Sequence, residues 1–275
     1  MTVSPAAVAH TVDFPDVSLY YEVRGDGPLI VLAGAPMAAA DFAPLADLLA
    51  TDHTVLTLDP RGHGGSALTD PHRDSTPELR GEDLARLIEH LGIGPAVVVG
   101  SSGGAVSALA LVEAHPDLVT TVVAHEPPLI ELLDDRAELR AGTEDMIATY
   151  GSGDVLGAFR KFLAQANIHL PEPVLVQMFG GDRDPAQAAS ERYWFDHELL
   201  GTVGWRPDLD TLRTSATRII IGIGADSAGQ LCDRSSRALA AALGLTPTLF
   251  PGDHTGFIGD TSAFATYLRG VLRAG

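Results

Sequence analysis

Short apolar runs bounded by turn residues alternate with segments whose apolar positions recur at helical spacing, and this alternation organises most of the chain. Residues 11–14 and 17–23 flank Pro15 and Asp16 and read as a hairpin. Apolar runs at 29–32, 55–58, 96–99, 119–123 and 217–223 read as buried strands, with a last short one at 248–250. Helical patterning falls between them, at 42–49, 77–91, 105–114, 230–243 and 263–272. Ser75-Thr76-Pro77-Glu78 predicts a capping box with proline in the first turn. Strands alternating with helices imply an α/β fold: a mostly parallel, eight-stranded sheet flanked by helices on both faces.

Residues 127–213 break this rhythm, carrying helical patterning without a convincing strand. The expected organisation is therefore a core made of residues 1–126 and 214–275 with a helical cap, or lid, of residues 127–213 over the strand ends. Trp194, Phe179 and Trp205 in that insertion are candidates for lining an apolar substrate pocket.

Composition narrows the function. The 275 residues carry a formal net charge of −18, which argues against nucleic-acid partners and anionic membranes, since phosphate contacts need clustered Lys and Arg. Cys232 is the only cysteine, so no intramolecular disulfide is expected, and its helical setting suggests a packed side chain. Residues 1–10 lack a basic stretch followed by an apolar core, and no apolar run is long enough to span a membrane. A cytoplasmic protein is the expectation; oligomeric state is not readable.

The chemistry centres on Gly100-Ser101-Ser102-Gly103-Gly104, directly after the apolar run 96–99 and before a helical segment. A strand, a tight turn carrying serine and a helix make a nucleophile elbow, with glycines where side chains would clash. The frame lacks the Lys-Ser/Thr ending of a phosphate-binding P-loop. A serine hydroxyl needs a base, and the base needs an orienting acid. His254, on a glycine-bracketed loop after the last strand, is the candidate base. Asp226, after the preceding strand, is favoured as the acid, with Glu126 as the alternative. The backbone N–H groups of Gly103 and Ala35 are the candidate oxyanion donors, Pro36 having none to offer.

The chain resembles the α/β-hydrolase superfamily over nearly its whole length. Beside the elbow, Asp59-Pro60-Arg61-Gly62-His63-Gly64-Gly65-Ser66 matches the D-x-R-G-x-G-x-S loop of its esterase, epoxide hydrolase and haloperoxidase-like branches. That loop is architectural, and His63 is expected to be structural. The order Ser102, Asp226, His254 is the family's order, and Gly252-Asp253-His254 matches its histidine loop. Ala33-Gly34 stands where the family commonly has His-Gly. The resemblance implies an α/β-hydrolase fold and a serine hydrolase that cleaves a small apolar carboxylic ester through an acyl-enzyme, without metal or organic cofactor. Carbon–carbon bond hydrolysis, lactone opening and cofactor-free perhydrolysis use the same triad and remain alternatives. A small-ligand receptor on the same fold is the non-enzymatic one.

Overall fold

A computed structural model describes residues 6–181 and 184–274. Half of the N-terminal stretch read for a leader, residues 1–5, lies outside the described residues. In chain order the first half comprises β1 (Val8–Asp13), β2 (Val17–Arg24), β3 (Leu29–Ala33), α1 (Ala39–Leu49), β4 (Thr54–Leu58), β5 (Ala67–Leu68), α2 (Pro77–Leu91), β6 (Ala96–Ser101), α3 (Gly103–Ala114) and β7 (Val119–His125). The helices α4 (Arg136–Gly151), α5 (Val155–Ala166), α6 (Glu172–Phe179), α7 (Pro185–His197), α8 (Leu199–Val203) and α9 (Leu209–Thr214) follow without an intervening strand among the described residues. The chain then returns to the sheet with β8 (Arg218–Gly224), α10 (Leu231–Leu243), β9 (Thr248–Phe250), α11 (Gly256–Gly259) and α12 (Thr261–Arg273).

The strands lie side by side as β1-β2-β4-β3-β6-β7-β8-β9. The β1–β2 and β2–β4 pairs are antiparallel, and every pair from β4 to β9 is parallel. The eight expected strands are present. A ninth, the two-residue β5, pairs with β2; Ala67–Leu68 is too short to leave a periodic signal. The apolar run of β3 is buried throughout because helices cover both faces. On one face α2, α3 and α10 pack Leu84, Leu109 and Leu239 against Val31, Val98 and Val122. On the other, α1 and α12 pack Phe42 and Leu268 against Ile30, Leu32 and Val123.

Two helix starts differ from the sequence expectation. Helix α2 is capped by Thr76, whose side chain accepts the Leu79 N–H, while Ser75 instead accepts from the buried Arg80 guanidinium. Glu78 does not close the expected box, because the Ser75 N–H donates instead to the His197 carbonyl at 2.9 Å, while the Glu78 carboxylate accepts the Trp205 indole N–H at 2.8 Å. Helix α1 starts at Ala39, ahead of the expected residue 42, because Asp59 Oδ1 accepts the Ala39 N–H at 2.9 Å. Asp41 Oδ2 also accepts the Ala38 N–H at 2.8 Å, so a local cap and a distant side chain together set that start.

The 59–66 loop is architectural, as expected. Asp59 Oδ2 takes the Gly65 N–H, and fully buried Arg61 makes a bidentate pair with Asp83, both bonds at 2.7 Å. His63 is buried, its Nε2 bonded to Glu198 at 2.9 Å and its Nδ1 to Ser190 at 2.7 Å. Together with Arg80 Nη2, which donates to Thr202 Oγ1 at 2.8 Å, this network fastens the α4–α9 segment to the sheet. That segment carries its own apolar cluster, built on Met146, Tyr150, Phe159 and Phe195.

Candidate active site

Strand β6 ends at Ser101, helix α3 begins at Gly103, and Ser102 sits between them at φ 55°, ψ −125°. This is a strained backbone for a residue with a side chain. The turn closes because nothing projects from its flanks. A Cβ on Gly100 would lie 2.4 Å from the Gly104 carbonyl oxygen, and one on Gly104 would lie 2.1 Å from that of Ala33. The Ser102 N–H donates to the His125 carbonyl of neighbouring β7 at 3.0 Å, fixing the elbow to the sheet.

His254 lies on the loop after β9. Gly224 at the end of β8 lets that loop approach, since a Cβ there would lie 2.6 Å from the Asp253 backbone. The acid beside the imidazole is Glu126, which corrects the expectation of Asp226. Glu126 Oε2 lies 2.5 Å from His254 Nδ1, and Glu126 Oε1 accepts the Gly224 N–H at 2.8 Å. The sheet order explains the choice. Glu126 follows β7, and its side chain reaches across the end of β8 towards the loop after β9. Its backbone is at φ 54°, the second strained non-glycine position in the site. Asp226 has an exposed side chain, and its backbone N–H is tied to the Gly252 carbonyl at 2.9 Å.

Charge follows this geometry. Burial penalises the Glu126 carboxylate, but its bond to His254 and the charge of that ring more than offset this and hold the carboxyl below its ordinary range. Burial likewise disfavours the His254 imidazolium; the Cys232 sulfur and the Glu126 carboxylate overcome it and raise the imidazole well above its usual value. His125, fully buried under the site, is pushed down to about 4 by burial and stays neutral.

Ser102, Gly103, Ala35 and His254 line one cavity of about 140 Å³ beneath the α4–α9 segment. Its walls are mainly apolar, with Met146, Phe162, Trp194, Leu199, Val203 and Leu231. Thr143, Gln165 and Gln230 add neutral polar groups, and among the described residues no Asp, Glu, Lys or Arg lines it. Among the described residues, the Ser102 hydroxyl makes no side-chain hydrogen bond. Hydrogen bonds of this kind commonly tighten only around a bound substrate. The chain packs Gly103 directly on Ala35, a Cβ on Gly103 falling 2.5 Å from the Ala35 carbonyl oxygen.

Of the three aromatics proposed for the pocket, only Trp194 lines it. Phe179 instead stacks on Phe159 at 3.8 Å between ring centroids, inside the helical segment. Trp205 is 7 % exposed, packs with α2 and α3, and spends its N–H on Glu78. Both were chosen for ring size, which serves packing as well as recognition. Cys232 departs from expectation in the other direction. It lies in the first turn of α10, lines the cavity, and places its sulfur within 4.8 Å of ligand atoms of Glu126 and His254. No local sequence signal distinguishes it from a packed helical cysteine.

The profile of the alpha/beta hydrolase fold matches residues 27–170, from β3 through the elbow and into the helical segment. The chain belongs to the α/β-hydrolase family. An uncharacterized hydrolase of Bacillus subtilis is 30 % identical over 269 residues, covering 95 % of each chain. A 2-(acetamidomethylene)succinate hydrolase of Mesorhizobium japonicum is 35 % identical over 127 residues, 45 % of each chain. Among solved structures, a thermophilic esterase from Thermogutta terrifontis superposes with a TM-score of 0.72 at 18 % identity, covering 98 % of both chains. Est816, described as an N-acyl homoserine lactone degrading enzyme, gives 0.70 at 20 % identity over 95 % of this chain and 99 % of its own. This α/β-hydrolase therefore shares its architecture with proteins named for different substrates. No helix among its described residues is long and apolar enough to cross a membrane.

Proposed function

We propose that this α/β-hydrolase cleaves small neutral carboxylic esters through a Ser102–His254–Glu126 triad and an acyl-enzyme. The observation that carries the reading is the double role of Glu126. One carboxylate oxygen is pinned by the Gly224 N–H, and the other accepts from His254 Nδ1. With the Nδ1 proton held there, Nε2 is the base for Ser102 in the neutral form of the ring, whose share grows as pH rises towards the raised value of this imidazole. Ser102 Oγ attacks the carbonyl carbon as its proton passes to Nε2. The Gly103 and Ala35 N–H groups stabilise the developing oxyanion. His254 then protonates the departing alcohol, and water activated by the same nitrogen releases the acid.

The cavity sets the substrate class. Its volume is close to that of an apolar cavity that accepts benzene, which limits the acyl group to roughly that size. No cationic side chain lines the cavity among the described residues, which disfavours a dicarboxylate substrate such as the succinate named for the Mesorhizobium relative. The α4–α9 segment acts as the cap that excludes water. A fluorophosphonate probe should label Ser102. A panel of p-nitrophenyl esters, lactones and peroxide-dependent substrates should show steady, peroxide-independent turnover fastest on short neutral esters. An unlabelled Ser102 in folded protein, or a preference for anionic acyl groups, would overturn the reading.

A further inference from the structure

The Cys232 sulfur stands inside the same cavity as the reacting groups, beside both partners of the Glu126–His254 pair. The three side chains offer one carboxylate oxygen, one thiol sulfur and one ring nitrogen, all within 4.8 Å of one another. We propose that Glu126, Cys232 and His254 form an inhibitory site for a thiophilic divalent cation, with Zn²⁺ as the fitting ion. The inhibition, though not the binding, rests on the triad proposed above.

The donor set decides the metal. Thiolate, imidazole and carboxylate are the ligands of tetrahedral zinc, and three protein ligands leave its fourth position open. Zinc bonds of about 2.0–2.3 Å place such ligands roughly 3.3–3.8 Å apart. The 2.5 Å Oε2–Nδ1 contact must therefore widen, while the sulfur already lies within 4.8 Å of its partners' ligand atoms. Glu126 is already prepared for this. The Gly224 N–H fixes Oε1, which leaves Oε2 as the free donor and orients it from behind. The open position faces the cavity that Ser102 lines, so the metal would sit where the acyl group enters. Mg²⁺ and Ca²⁺, which demand oxygen-rich shells, have no equivalent set here.

The step involves no redox change. The Cys232 thiol and any imidazolium lose a proton to solvent, the proton of the neutral ring shifts from Nδ1 to Nε2, and the metal bonds to the thiolate, to Nδ1 and to Oε2. The metal thereby removes the acid from the imidazole and blocks proton transfer from Ser102. Because protons are released, binding should tighten as pH rises.

Equilibrium dialysis of the full chain with Zn²⁺ tests binding without reference to turnover. The expected result is one chelator-reversible zinc per chain at micromolar metal, weakened at least about tenfold in Cys232→Ser. Co²⁺ supplies a second readout on the unsubstituted chain. Since Cys232 is the only cysteine, a sulfur-to-cobalt charge-transfer band can arise only from it, and alkylating the thiol should abolish the band. Ester turnover, with each protein normalised to its own metal-free rate, should fall with zinc in the parent and resist it in Cys232→Ser. Zinc bound equally well by folded Cys232→Ser, inhibition matched by Mg²⁺, or a cobalt complex without the band would overturn the proposal. A chain inert on esters that still binds one zinc through Cys232 would refute the triad reading and leave the metal site standing.

Discussion

Replacing Glu126 with glutamine isolates what the carboxylate does at almost constant shape. The side chain is fully buried, with one oxygen on the Gly224 N–H and the other on His254 Nδ1. The amide has one acceptor and one donor group, so only one of two orientations avoids a clash. Turning its N–H groups towards Gly224 sets donor against donor and strands a buried group, at about 1–3 kcal/mol. The amide oxygen therefore stays on Gly224 and the amide nitrogen faces His254. Nδ1 must then become the acceptor, which moves the ring proton to Nε2, where it blocks acceptance from Ser102. A wrong-tautomer histidine costs roughly 10⁴-fold in turnover, or about 5 kcal/mol of barrier. The assay is kcat/KM on a p-nitrophenyl ester, with thermal melting to confirm folding. Asp226→Asn is the control: it alters an exposed side chain and should change the rate by no more than about twofold. Glu126→Gln within tenfold of the parent, or Asp226→Asn costing more, would refute the assignment.

Other expectations concern protons and packing. NMR titration of His254 should give a midpoint above the ordinary 6.5, falling to lower pH in Glu126→Gln because the partner that stabilises the imidazolium is gone. Burial raises Glu113 from 4.5 to about 7, so the folded chain keeps a proton that the unfolded chain loses, and stability declines as pH rises through that interval. Glu113→Gln, which can still accept the Asp208 N–H, should therefore melt higher than the parent above pH 7 and converge with it near pH 4. Gly104→Ala should cost about 3 kcal/mol or more in a denaturant titration, since its Cβ meets the Ala33 carbonyl oxygen at 2.1 Å. Gly270→Ala, in the exposed interior of α12 with nothing within 4 Å, should stabilise by about 1 kcal/mol.

What could be read from the sequence followed the range of each interaction. The parallel strands, the elbow and the helical segment are written locally, in apolar runs and in glycines whose absent side chains permit one turn. That Ser102 and His254 share one cavity was legible because each follows a strand within a distinctive glycine frame. The carboxylate beside His254 was harder, since Glu126 and Asp226 both follow strands and both lie between serine and histidine in the chain. Only the lateral strand order shows that a glutamate on β7 can reach over β8, while Asp226 turns to solvent. Trp205 and Phe179 were misjudged because ring size does not tell a packed aromatic from a pocket wall. Cys232 was missed because the contacts that matter lie more than a hundred residues away, at Glu126, and across β9, at His254.

Hanging the carboxylate on β7 separates two jobs that one connection might have had to perform. Under the proposed assignment, the start of the 225–230 connection serves the proton relay through its backbone, Ala225 and Asp226 N–H groups holding the Phe250 and Gly252 carbonyls of the loop that carries His254, while its far end leads into Gln230, Leu231 and Cys232 on the chamber wall. Only that far end is free to vary in sequence, retuning which guests are admitted while the relay stays intact. Diversification aimed at new substrates would do best to begin there.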